Sequence, residues 1–386
     1  PSYRLGPRRA VAVGHNGNLV NTRQLLERLR GGKRRMSGTS DTELLTALLS
    51  DEPADDLVDA LVRVLPGISG AFSLVVMDEQ RVVGVRDPHG FRPLVLGRLP
   101  GEPEGWVLAS ETAALDLIDA EYVREVEPGE MVVLGEPGGP RSVRYAEGRE
   151  HLCVFELIYF ARPDSYMLGR SLYEARRRMG EELAREAPVD ADLVMPVPDT
   201  GAPAAVGFAE ASGLPYREGM VKNRYAGRTF IQPSQAMRQR GVNVKLSPLR
   251  EQVRGRRVVV VDDSIVRGTT TKQIVALLRR AGAAEVHLRI SAPPIFHPCF
   301  YGIDTQVETE LIAARLDLGG IRDYLGADSL AYLSIGGVLD ALQLPRERFC
   351  FACFDGLYPV PVPYDVASHK FVLEDDPVVG PAVTVP

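Results

Sequence analysis

The sequence predicts two domains: an α+β unit over residues 1–148, then an α/β unit with a parallel sheet over residues 149–386. Three observations lead there. The first part carries short alternating apolar runs with turn chemistry between them and two helical patterns. The stretch Glu136–Arg149, rich in Gly, Pro and Glu, reads as a linker. Beyond it, apolar strands alternate with helices, the pattern of a parallel sheet with right-handed crossovers.

In chain order, Ala10–Val13 is the first apolar strand, followed by helical patterns at Thr22–Leu29 and Thr42–Leu49. Ala71–Asp78, Arg81–Val85, Trp106–Ala109 and Met131–Leu134 are strands of period two. In the second part Asp192–Val197, Val258–Val261 and Val286–Ile290 read as apolar strands, the four valines as a buried parallel one. An amphipathic helix begins at Thr271 and stops at Gly282.

Composition narrows the function. With 45% hydrophobic and 25% charged residues, the chain is an ordinary globular protein rather than a disordered or membrane-spanning one. No stretch is long and apolar enough to span a bilayer and no signal peptide opens the chain, so the expected location is cytoplasmic. A formal net charge of -6 argues against a nucleic-acid partner. The basic runs Arg176–Arg178 and Arg279–Arg280 read as solvated helix faces, and Tyr358–Pro386 as a loosely packed tail.

Chemistry concentrates at Val258–Thr271. Four valines make a buried strand, and Asp262 and Asp263 stand at its end. The small loop Ser264–Thr270 then runs into a helix N-terminus, which offers N–H groups and a positive dipole end to a phosphate. Paired acids beside a phosphate suit a sugar held by carboxylate and Mg²⁺. An ordinary strand–turn–helix with acids at the strand end is the plainer alternative. Val197–Ala202 is a second loop at a strand's carboxyl end. The cation-dense segment Lys222–Gln232 suits a departing pyrophosphate, or is simply a surface loop.

Two further groups of residues stand out. Cys350-Phe-Ala-Cys353 is a C-x-x-C pair, with Cys153 and Cys299 far away in sequence. The spacing leaves zinc, an iron–sulfur cluster and unrelated buried thiols all open. In the first part, the Asn16 amide beside the Gly17 N–H can form an oxyanion hole, and Asp41 can meet a substrate ammonium. A turn and a helix cap explain the same residues without function.

The run Val258–Thr271 resembles the phosphoribosyl-pyrophosphate (PRPP) signature of type I phosphoribosyltransferases. Together with Glu156–Ser165, Val197–Thr200, Lys222–Pro233 and His297–Asp304, it resembles the amidophosphoribosyltransferase family, which opens purine synthesis. Gly14–Leu19 and Ser40–Glu43 resemble that family's N-terminal-nucleophile (Ntn) glutaminase domain. The resemblance implies that Asp262 and Asp263 hold the ribose hydroxyls, and that Val266, Arg267, Gly268, Thr269 and Thr270 hold the 5′-phosphate. Mg²⁺ would sit on Thr200, Asp262 and Asp263, and Cys153, Cys299, Cys350 and Cys353 would carry a [4Fe–4S] cluster. Asn16 and Gly17 become oxyanion donors and Asp41 the contact to glutamine's α-amino group. Within the cationic segment, Lys222, Arg224 and Arg228 are the chosen leaving-group contacts. Glutamine or ammonia would be the nitrogen source, purine nucleotides feedback inhibitors, and the enzyme a homo-oligomer.

The sequence departs from that pattern at its start. Residue 1 is proline and no cysteine precedes Cys153, so the glutaminase nucleophile is missing and the domain is expected to be N-terminally incomplete. Such a chain is expected to use ammonia alone. A PRPP-sensing regulator of the phosphoribosyltransferase fold is the non-enzymatic alternative.

Overall fold

Residues Ala10–Leu19 (β2) form a ten-residue strand that pairs antiparallel with Ser2–Leu5 (β1) on one side and Gly70–Met77 (β3) on the other. The computed structural model describes residues 1–6, 9–30, 36, 38–101, 104–223, 246–305 and 307–363. The apolar pattern predicts a strand ending at Val13. It continues because every residue from Ala12 to Leu19 has a ladder partner in β3, with Asn16 opposite Ser73 and Gly17 opposite Phe72. The polar motif therefore lies on a strand, where its side chains are fixed.

Helices α1 (Thr22–Arg30), α2 (Asp41–Asp51) and α3 (Leu57–Val64) follow β2. Ser40 caps α2 by accepting the Glu43 N–H, and Asp56 caps α3 by accepting that of Asp59. Strand β4 (Val82–Arg86), β5 (Val95–Leu99), β6 (Gly105–Ala109), α4 (Thr112–Asp116), β7 (Glu121–Glu125) and β8 (Glu130–Leu134) complete most of this half. The large sheet runs β1-β2-β3-β4-β8-β9, where β9 is Arg141–Arg144. The segment read as a linker thus contains an edge strand, with Arg144 opposite Glu130. Its Gly and Pro residues make the turn into β9.

Alternation along β3 explains how both sheet faces are buried. Phe72, Leu74 and Val76 pack against the helices with Leu44, Leu45, Leu57 and Leu61. Val75 faces the other way, toward Leu94, Leu96 and Val132 and the small sheet β6-β5-β7.

The second half opens with β10 (Leu152–Cys153), a π-helical turn at Glu156–Phe160, and the short pair β11 (Tyr166–Met167) and β12 (Arg170–Ser171). Then come α5 (Leu172–Glu186), β13 (Leu193–Pro196), α6 (Ala202–Ser212), β14 (Met220–Lys222), β15 (Leu246–Pro248) and β16 (Arg257–Asp262). Helix α7 (Thr269–Ala281), β17 (Glu285–Ile290), α8 (Leu318–Leu325), β18 (Ser329–Tyr332), α9 (Ile335–Leu342) and β19 (Phe349–Cys350) follow. The expected parallel sheet is present, in the order β13-β16-β17-β18.

Two expectations fail here for the same reason, a packing partner distant in sequence. Arg176 is only 4% exposed, not on a solvated face. It donates to the carbonyls of Leu157 (2.8 Å) and Ala161 (2.6 Å), which a π-helical turn leaves short of partners. Residues 358–363, expected in a loose tail, are anchored: Tyr358 Oη donates to Pro298 O at 2.6 Å and Tyr301 Oη to Val360 O at 2.5 Å. Residues 364–386 lie outside the described residues.

Helices α5 and α6 touch backbone to backbone. A Cβ on Gly180 would stand 1.9 Å from Ala204 O, so only glycine permits the crossing. Gly180→Ala is expected to lower stability by about 1–3 kcal/mol by forcing the helices apart, read as a reduced midpoint in chemical denaturation.

Candidate active site

The carboxyl ends of β13 and β16 lie side by side, with Pro196 opposite Val261. The loops that follow them, Val197–Gly201 and Asp262–Gly268, therefore open at one edge of the sheet, where α/β proteins bind ligands. They border a cavity of about 390 Å³, lined by Thr200, Asp262 through Thr271, and an aromatic wall of Phe155, Tyr159 and Phe160. Ile295, Ile303, Thr305 and Cys353 complete it.

The loop is shaped by the segment around Glu310 and Ile312 packed behind it. Gly268 precedes α7 at φ +73°, and an added Cβ would meet Ile312 Cδ1 at 2.8 Å. Ile312 N–H donates to Val266 O at 2.9 Å, and Arg267 Nε to Glu310 at 3.0 Å, so the loop is tied from behind. Val266 to Thr270, the expected phosphate residues, thus line one cavity at a helix N-terminus.

Asp262 and Asp263 are 8% and 6% exposed. Burial, followed by the charge of Asp263, raises the Asp262 carboxyl well above the ordinary range. Burial also raises Asp263, against hydrogen bonds from Thr200 and Ser264 and the charge of Arg176. Two buried acids with a threonine hydroxyl beside them are a donor set for a hard cation.

The four cysteines also converge. Cys153 and Cys350 are opposite one another in the parallel pair β10·β19. The Cys353 carbonyl accepts the N–H groups of Phe296 (3.1 Å) and His297 (3.0 Å), bringing it beside the Cys299 segment. All four thiols are buried, and burial pushes Cys153 up to about 12 and Cys350 and Cys353 well above a free thiol. Among the described residues, no group of three His, Cys, Asp or Glu is close enough to hold a single metal ion.

In the first half, Asp41 sits at the start of α2 and its carboxylate reaches back to β2. Oδ2 accepts the Leu19 N–H at 3.3 Å, and Oδ1 lies 3.4 Å from His15 Nδ1. Burial opposes ionisation of Asp41, but the His15 hydrogen bond and charge with the Leu19 and Thr42 N–H groups hold its pKa below the ordinary value. Asn16 and Gly17 are adjacent to that pair on β2.

Lys222 is not among the residues lining the cavity but lies beside it: it ends β14, pairs with Asp199 at 2.7 Å next to Thr200 in sequence, and its charge acts on Tyr159 of the aromatic wall. Arg224 and Arg228 lie outside the described residues. Sequence reasoning assigns no role to Ser264, Tyr159, Phe160 or Thr305. Tyr159 and Phe160 are visible there only as apolar residues of a motif. Thr305 carries no signal, yet its hydroxyl is buried without a hydrogen-bond partner among the described residues.

A domain with a strand-borne Asn-Gly motif, followed by a domain with a cavity at the carboxyl ends of parallel strands, is the arrangement of an amidotransferase domain joined to a phosphoribosyltransferase domain. Residues 4–117 match the family "Glutamine amidotransferase domain" and residues 168–294 the family "Phosphoribosyl transferase domain". The chain is 53% identical to the amidophosphoribosyltransferase of Synechocystis sp., over 96% of this chain and 75% of that protein. It is 50% identical to that of Mycobacterium tuberculosis, over 94% of this chain and 70% of the other. Among solved structures, it resembles the glutamine PRPP amidotransferase of B. subtilis complexed with ADP and GMP. That likeness has a TM-score of 0.86 and 46% identity, covering 94% of this chain and 80% of the other. A second structure, described as the allosteric regulatory enzyme of purine biosynthesis, has a TM-score of 0.87 and 45% identity, covering 94% and 78%. The chain belongs to the amidophosphoribosyltransferase family.

The raised Asp262 pKa has a measurable sign. Between the unfolded value of about 3.9 and the raised folded value, the fold keeps a proton that the unfolded chain has lost. Ligand-free stability therefore falls as pH rises through that window. Asp262→Asn is expected to raise the thermal midpoint of the ligand-free protein by about 2–4 °C at pH 7.5, and to leave it unchanged below the window. Differential scanning calorimetry at two pH values checks this.

Proposed function

We propose that the cavity binds Mg²⁺–PRPP and that the chain displaces pyrophosphate from C1 of the ribose with ammonia, giving 5-phosphoribosylamine. The observation that carries this reading is the convergence of the buried Asp262–Asp263 pair, Thr200 and the Val266–Thr270 loop on one 390 Å³ cavity. In it the loop N–H groups and hydroxyls hold the 5′-phosphate, and the two acids orient the ribose hydroxyls. Phe155, Tyr159 and Phe160 exclude water from the reacting carbon. The C1–O bond breaks as the C1–N bond forms, so the protein supplies placement and charge rather than a nucleophile. Mg²⁺, when bound, offsets the charge of the departing pyrophosphate. Two carboxylates plus substrate oxygens are its usual protein-site complement. Lys222, Arg224 and Arg228 are proposed to meet the departing pyrophosphate.

Residues 1–148 form the glutaminase half in this reading and 149–386 the transferase half. Asn16 and Gly17 serve as oxyanion donors, and Asp41 meets glutamine's α-amino group. Purine nucleotides are proposed as feedback inhibitors, the assembly as a homo-oligomer and its place as the cytoplasm. Among the described residues no helix is long and apolar enough to cross a membrane. The family relationship favours the enzyme over a PRPP-sensing regulator.

The four thiols are proposed to carry a [4Fe–4S] cluster: all are buried and lie within electrostatic reach of each other. A [4Fe–4S] cluster bound there would cross-link three segments, and loading it would release the protons that burial keeps on the thiols.

Three outcomes are expected. Pyrophosphate is released from PRPP with ammonium chloride at alkaline pH, and its absence under those conditions would refute the reading. Asp262→Asn with Asp263→Asn abolishes Mg²⁺-dependent PRPP binding in titration calorimetry while the circular dichroism spectrum is retained. Anaerobically purified protein contains iron and acid-labile sulfide in equal amounts, and zinc without sulfide would overturn the cluster.

A further inference from the structure

The wall of the PRPP cavity is held from both halves of the molecule. From its own half, Arg176 donates to the carbonyls of the Glu156–Ala161 turn. From the other half comes Arg92, 3% exposed, in the segment between β4 and β5. Its Nη1 donates to Glu156 Oε1 at 2.6 Å, and its Nε to Tyr301 O at 3.3 Å. Its guanidinium carbon lies 5.3 Å from the centre of the Phe160 ring, within cation–π range. Phe160 lines the cavity and packs in turn on Phe155 and Tyr159, at 5.4 and 5.3 Å between ring centres.

The main chain of Arg92 is equally well fixed. Its carbonyl accepts from Ser73 Oγ and from Arg86 Nε, both at 3.0 Å. Ser73 is the residue opposite Asn16 in the β2·β3 ladder. A single residue therefore spans the distance from the oxyanion strand to the substrate wall, through rigid contacts at each end.

We infer that Arg92 is a positioning residue for the PRPP site, acting from the glutaminase half by setting the orientation of Phe160 and the Glu156–Phe160 turn. The inference rests on the cavity being the PRPP site. Arg92 touches no substrate. It places the aromatic wall against the ribose, so its loss weakens PRPP binding more than it slows the chemistry. Lysine keeps the charge and the ion pair but lacks the planar fork that contacts Glu156, Tyr301 and Phe160 together.

The test uses the full chain, with PRPP turnover measured at saturating ammonium chloride so that glutamine chemistry does not enter. Arg92→Met is expected to raise the KM for PRPP about tenfold, with kcat changed less than about twofold. Arg92→Lys should recover part of the loss. Phe160→Leu should raise the KM by itself, and adding Arg92→Met to it should cost little more, because both changes remove one contact. Arg92→Met leaves Glu156 buried and unpaired and can cost the fold. The pair Arg92→Met with Glu156→Met removes both charges, and the raised KM should persist in it. A normal PRPP KM in that charge-free pair, or additive effects of Arg92→Met and Phe160→Leu, overturns the inference while wild-type turnover upholds the functional reading. A wild-type chain that neither binds Mg²⁺–PRPP nor releases pyrophosphate overturns both.

Discussion

Parallel pairing of β13 with β16 is the constraint on which the rest depends. Pro196 beside Val261 puts the Thr200 loop and the Asp262–Thr270 loop at one edge of the sheet. Slipping that register by one residue would turn each strand's side chains to the opposite face and part the Thr200 hydroxyl from Asp263. The register is secured by apolar side chains on both faces. Val259 and Val261 enter one core while Val258 and Val260 enter another. Burial on both sides also withdraws water from the strand's end, which is why the acids there resist ionisation.

The same logic governs the molecule's other buried polar groups. Arg86 is 1% exposed, and its guanidinium donates to the carbonyls of Arg92, Val126 and Gly90. Arg176 does likewise for a π-helical turn. Asp87, wholly buried and raised to about 6 chiefly by that burial, accepts the N–H groups of Phe72, His89 and Phe91. In each case an ionisable side chain satisfies backbone groups that are left without a partner at a turn or a strand end. These residues fix loops that carry the site without belonging to it.

Much of this is legible in the sequence, for identifiable reasons. The Val258–Val261 run, Gly268 and Gly282 are local signals whose meaning does not depend on distant partners, and the strand, loop and helix form where expected. The strand that bears Asn16 reads short in the sequence, because its apolar pattern ends at Val13 while ladder bonds to β3 continue. The helix Leu57–Val64 is missing from the sequence reading although its apolar spacing and Asp56 cap are both local. Arg176 and Arg92 are not legible in principle. A cation in a sequence looks solvated until the carbonyls and the ring that it meets, tens to hundreds of residues away, are known.

One feature of the topology bears on synthesis. Strand β10 pairs with β19, so Cys153 meets Cys350 across about 200 residues of intervening chain. The antiparallel half ends at Arg144 and has its strand partners in hand once that residue is made. The other half must wait for its last strand. At about 5–20 residues per second, an interval on the order of 10–40 s separates the synthesis of Arg144 from that of Cys350. Through that interval the nascent second half keeps Cys153 and the aromatic turn without their partners. The connectivity therefore sets an order of availability: the strands of the first half are all made before β19, and the thiols of Cys350 and Cys353 come last.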